Sequence, residues 1–127
     1  MSRKTAREHA FRILFSAQFQ EENAQVLVER YLQSQDMSLE EKDEQFIQRE
    51  IEGAIREQDH IYARIGEALK EWKLSRLYQV DRAILQIAVY EMLYEEEIPT
   101  SVSINEAVEL AKKYSTEAAP AFINGVL

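Results

Sequence analysis

Residues 80–94, VDRAILQIAVYEMLY, constrain the fold more than any other stretch of this chain. At about 100° per residue, Val80, Ala83, Ile84, Ile87 and Ala88 point one way, and Leu85, Val89 and Met92 point roughly the opposite way. A helix that is apolar on nearly every side is stable only when other elements cover it. The remainder of the 127 residues has to supply that cover, so the chain is expected to form one domain, 1–127, with subdomains of about 1–72 and 73–127.

The covering elements are expected to be helices as well. Thr5 with Glu8 has the pattern of a capping box and predicts a first helix from about Ala6 to Gln20. Ala6, Ala10, Ile13, Leu14 and Ala17 give it an apolar face, and Phe11, Phe15 and Phe19 give it a second stripe that begins below Lys4 and Arg7. A second helix is predicted from about Asn23 to Gln35. A third opens at Ser38 and Glu41 and carries Phe46, Ile47, Ile51, Ala54 and Ile55 to about Glu57. Asp59 is the expected N-cap of a fourth, followed by a short connector over 73–79 with one helical turn. Pro99 ends the central helix, Ser103 with Glu106 is expected to cap a helix over 104–114, and Ser115 or Thr116 to cap a last one that tolerates Pro120 near its first turn. With three Gly, two Pro and no segment alternating like a strand, the fold class is all-α, with about seven helices.

Charge is distributed unevenly. Residues 1–20 hold Arg3, Lys4, Arg7 and Arg12 against Glu8 alone, while the other 107 residues carry 11 basic and 22 acidic side chains. An acidic protein is repelled by polyanions as a whole, so any nucleic-acid contact has to be made locally, by this basic start. Taken by itself, such a patch is more often a solvated helix face.

Catalytic chemistry is poorly represented. His9 and His60 have no second His at ligand spacing, cysteine is absent, and Gly53, Gly66 and Gly125 are isolated, so no metal site, cofactor or phosphate loop is expected. The serines form no nucleophile elbow, and the adjacent acidic pairs diverge on a helix. The chain is not expected to be an enzyme. The given amino terminus is polar and basic, without an apolar stretch of signal-peptide type, and no run of about 18 apolar residues occurs, so the cytoplasm is the expected compartment.

Two acids stand out on the central helix. Glu91 falls in the middle of an apolar face and is expected to be a buried, hydrogen-bonded structural carboxylate. Asp81, at the helix start and away from that face, is expected to be exposed, favoured by the helix dipole and able to anchor a partner. Trp72 and the tyrosines at helical spacing are expected to be core.

Three stretches, RKTAREHAFRILF, WKLSRLYQVDRAILQIAVYEM and IPTSVSINEAVELAKKYSTEAAPAFINGVL, resemble the NusB family of transcription antitermination factors. The similarity spans nearly the whole chain and is weakest between about 21 and 60; relatives usually continue past the position of Leu127 with an Asp and a short tail. The resemblance implies two helical subdomains and an RNA-binding antitermination factor. Such a factor pairs with the small-subunit ribosomal protein NusE, binds single-stranded boxA-type RNA in ribosomal RNA leaders, and acts indirectly with other antitermination factors and RNA polymerase. It further implies RNA contacts at Arg3, Lys4, Arg7 and Phe122, and a NusE-facing surface at Phe15, Asp81 and Tyr114, where Asp81 would meet basic groups of the partner. Some members form homodimers that cover the RNA surface, which the phenylalanine stripe could serve. The alternatives are a NusB-like interaction or regulatory module without RNA affinity of its own, and the NusB-like part of a ribosomal-RNA methyltransferase.

Overall fold

The computed structural model describes residues 1–18, 23–69 and 74–127. Phe19 and Trp72, assigned above to a stripe and to the core, lie outside the described residues. Among those described there are seven α-helices: α1 (Arg3–Ala17), α2 (Ala24–Ser34), α3 (Glu41–Arg56), α4 (Gln58–Ala68), α5 (Gln79–Tyr94), α6 (Thr100–Tyr114) and α7 (Ala119–Val126), with a 3₁₀ turn at Leu74–Arg76. None of these helices is long and apolar enough to cross a membrane. The chain divides into two compact units, Met1–Arg56 and Glu57–Leu127.

The division falls between Arg56 and Glu57, and not near residue 72 as the sequence led us to expect. The reason is packing: α4 lies against α5, so it belongs with the second unit. Only Glu57 separates α3 from α4, and a one-residue break without Gly or Pro does not announce a linker.

In the first unit, α1 packs on α3 and α2, and α2 on α3. Its buried side chains include Phe11, Ile13, Leu14, Val28, Phe46, Ile47 and Ile51. The caps explain where the helices begin. Ser2, not Thr5, caps α1, its Oγ accepting from the Thr5 N–H at 3.1 Å, so the helix starts three residues before the expected Ala6. Asn23, where the second helix was expected to begin, caps α2, its Oδ1 accepting from the Val26 N–H at 3.0 Å. The α3 start is at Glu41, with the Glu40 carbonyl accepting from Asp43 and Glu44.

In the second unit, α5 packs against α4, α6 and α7. Ala83, Ile84, Leu85, Ile87 and Ala88 are at most 2% exposed, as a helix apolar on both sides requires. Burying a side chain such as Ile84 contributes roughly 1.5–3 kcal/mol. The α4 start precedes the expected cap: Glu57 holds the N-cap position, its Oε2 accepting from the Tyr94 hydroxyl at 3.2 Å and not from the first turn, and Asp59 sits in that turn. Pro99 both ends the preceding turn and occupies the N-cap position of α6, so that helix begins at Thr100. Ser103, read as a cap, therefore lies inside the helix, and its hydroxyl donates to the buried carboxylate of Glu91 at 2.9 Å. Ala118 takes the N-cap position of α7, in place of Ser115 or Thr116, and Pro120 lies in its first turn.

Candidate binding surfaces

The basic start is built on the first turn of α1. Because Ser2 caps the helix, Arg3 and Lys4 are its first two residues, both are exposed, and no acid accompanies them in that turn. Four free N–H groups and the helix dipole already place about half a positive charge at such an end. Two cations added there concentrate positive potential that nothing in the turn neutralises.

Beneath them lies Phe46 of α3, which is 1% exposed. The Arg3 guanidinium carbon sits 4.3 Å from its ring centroid, with Arg7 at 5.7 Å and Arg49 at 5.6 Å. Phe46 is a platform that holds arginines, an arrangement its sequence position does not announce, because helical spacing marks it simply as core. Arg7 corrects an expectation. It was expected to be displayed outward with Arg3 and Lys4, but it is buried, one turn further along and turned toward α3.

On the same helix, His9 and Tyr31 of α2 meet at 2.6 Å between imidazole Nδ1 and phenol oxygen, and the Arg12 guanidinium lies 5.6 Å from the Tyr31 ring. Burial pushes the His9 pKa below the ordinary histidine value, Arg12 pushes it the same way, and Glu8 opposes. An imidazole that resists protonation in the fold loses stability in acid. Below about pH 6.5 the unfolded chain takes up the proton first, so stability falls with pH through this window and is fully kept at pH 8. Thermal melts at pH 8 and pH 5.5 should show a larger drop for the unaltered chain than for His9→Gln; equal drops would contradict this account.

The second unit carries a cleft of about 430 Å³ between the start of α5 and the start of α7. Asp81 and Phe122 both line it, so two residues that the resemblance gave different roles share one site. Asp81 corrects a second expectation: it is 5% exposed, not a surface acid. The Ser115 hydroxyl, from just past α6, donates to its Oδ1 at 2.6 Å and fixes the carboxylate. Phe122 is half-buried. Tyr114, next to Ser115, is half-buried too, with the Lys113 ammonium 5.5 Å from its ring centroid. Phe15 belongs to the first unit, half-buried, its ring 6.3 Å from that of Phe11.

Tyr78 was also missed. Tyr90 is core, as expected of the tyrosines, but Tyr78 is 66% exposed on the lip of the cleft. Its position in the connector, before the helical period begins, was the available signal. Among the described residues, no three metal-ligating side chains come together.

Folded in this way, with one exposed cationic helix start and one aromatic-lined cleft over an acid, the chain has the features of a small all-α binding protein. Its relatives make that class specific. The NusB family model matches residues 4–127. The transcription antitermination protein NusB of Bacillus subtilis (strain 168) is 42% identical over 127 residues, covering 100% of this chain and 92% of the relative. A solved T. maritima NusB superimposes with a TM-score of 0.89 at 36% identity, covering 99% of this chain and 87% of the other. A NusB crystallised with NusE and dsRNA gives a TM-score of 0.86 at 27% identity, covering 98% and 91%. The chain belongs to the NusB family.

Proposed function

We propose that this chain is a non-catalytic transcription antitermination factor that pairs with NusE to bind boxA-type RNA in nascent ribosomal RNA leaders. The observation that carries the reading is the similarity, over 98% of the chain, to a NusB solved together with NusE and dsRNA. The charge distribution supports it physically. Arg3 and Lys4 are exposed cations available to phosphates, and Arg7, buried against the Phe46 ring, adds its charge from within the fold instead of making an outward contact. Phe122 offers a ring face, and a stacked base contributes about 1–3 kcal/mol. Phe15, Asp81 and Tyr114 are assigned to the NusE-facing surface.

A few exposed cations on an acidic protein give weak binding alone, and a partner that brings a second RNA-binding surface raises it by joining the two contacts in one complex. Fluorescence anisotropy with labelled boxA RNA should therefore show an affinity at least about tenfold higher with saturating NusE than without. Equal affinity in both conditions would overturn the cooperative reading. Saturable NusE binding with no RNA binding in either condition would favour a pure interaction module.

A further inference from the structure

Arg12, on the third turn of α1, is exposed, and no carboxylate pairs with it among the described residues, although the chain holds 23 acidic side chains against 15 basic ones. Its guanidinium carbon lies instead 5.6 Å from the centroid of the Tyr31 ring on α2. That ring is held from the other side. Its phenol oxygen meets His9 Nδ1 at 2.6 Å, and the imidazole stands steeply to it with the centroids 5.5 Å apart. His9 and Tyr31 are both half-buried, so together they form a fixed base under a cation that faces water.

Lys4, Glu8 and Arg12 follow one another at intervals of four along α1 and so share one face, with Arg12 about 12 Å beyond Lys4 along the axis. Glu8, between them, repels phosphate, so a strand lying along this face gains at its two ends. A guanidinium plane backed by an aromatic ring is a surface on which a nucleobase stacks, while its N–H edges bond phosphate or base oxygens. We propose that Arg12 and Tyr31 form a second nucleotide subsite, in which an unstacked base of the RNA lies on the guanidinium above the tyrosine ring once the strand has passed Lys4. This rests on the RNA binding set out above and extends its footprint from the start of α1 to the surface shared by α1 and α2. A single strand suits the subsite better than a duplex, whose bases keep their faces within the stack. Two cations along one face, with a held ring under the second, match a chain of regularly spaced charges that carries flat bases.

Charge and stacking separate in the variants. With saturating NusE and boxA RNA carrying flanking nucleotides at both ends, anisotropy should show Arg12→Ala weakening RNA binding about fivefold, with a slope of log affinity against log salt shallower by about 0.7. Arg12→Lys keeps the charge but not the plane, so it should weaken binding about two- to threefold at an unchanged slope. Tyr31→Phe, which loses the His9 bond but keeps the ring, should change affinity less than about twofold, and Tyr31→Leu should weaken it about threefold. Melting temperatures within a few degrees for Arg12→Ala and Tyr31→Phe exclude unfolding as the cause. If Arg12→Ala leaves affinity and slope unchanged while Arg3→Ala/Lys4→Ala weakens binding, this inference is overturned and the RNA surface at the start of α1 stands. If neither variant weakens binding, both fall. If Arg12→Ala weakens calorimetric binding of NusE but not RNA binding by the chain alone, the surface is a protein interface and the proposal fails.

Discussion

A chain carrying Arg3→Ala and Lys4→Ala together is expected to bind boxA RNA, in complex with NusE, about ten- to hundredfold more weakly than the unaltered chain at the same salt concentration. Both side chains are exposed on the first turn of α1, with no acid there to share them. In the free protein each cation sits unfavourably beside the positive end of the helix dipole, at a cost of about 0.3–1 kcal/mol. A phosphate arriving at that turn removes the repulsion and gains two charge-assisted contacts, so the start of α1 is arranged to be more favourable bound than free. The fold should tolerate the change. Losing Arg3 over Phe46, at 4.3 Å, costs about 0.5–1 kcal/mol, and relief of the dipole repulsion offsets much of it. Arg7 is deliberately left in place, since it is buried against Phe46 and its removal would confuse folding with binding. Anisotropy measures the loss, and a melting temperature within a few degrees of the unaltered chain separates it from unfolding.

The second large effect concerns stability alone. Glu91 is fully buried on α5, and the Ser103 hydroxyl donates to it at 2.9 Å from the first turns of α6. Glu91→Gln preserves the shape and an oxygen for Ser103, but replaces an acceptor with an NH₂ donor in a site arranged for a carboxylate. The expected cost is about 1–3 kcal/mol by denaturant titration, with RNA and NusE affinities unchanged. A double-mutant cycle of Glu91→Ala with Ser103→Ala should show coupling, because each change removes the bond the two groups share. Lost binding at undiminished stability would show instead that Glu91 is functional.

How much of this was legible in the sequence depends on the range of the interaction. The helices themselves follow from periodicity: α5 reads as buried on both sides because apolar residues occupy both sides, and its first side is buried from Ala83 onward, with Leu85 buried and Val89 and Met92 half-buried on the second. Helix starts were less secure, since several side chains compete to cap them. Ser2 and Thr5 both have the chemistry to cap α1, and Ser2 does so. Ser103 has the pattern of a cap, but Pro99 starts the helix sooner and frees the hydroxyl for Glu91. The burial of Glu91 was predictable from its own helix, whereas that of Asp81 was not, because it depends on Ser115 and on a cleft wall from α7, more than 30 residues away. Arg7 is a similar case. Its position on α1 suggested display, and only the approach of α3 shows that Phe46 receives it.

The claim on which everything else depends is that an acidic protein holds RNA through a few cations at one helix start. Its most direct test is the slope of log affinity against log salt for boxA RNA, measured with NusE present for the unaltered chain and for Arg3→Ala/Lys4→Ala. Each phosphate neutralised on a single strand contributes about 0.7 to that slope, so the double variant should give a slope shallower by about 1.4. Two parallel lines would mean that neither cation meets a phosphate, and the proposed RNA surface would be wrong.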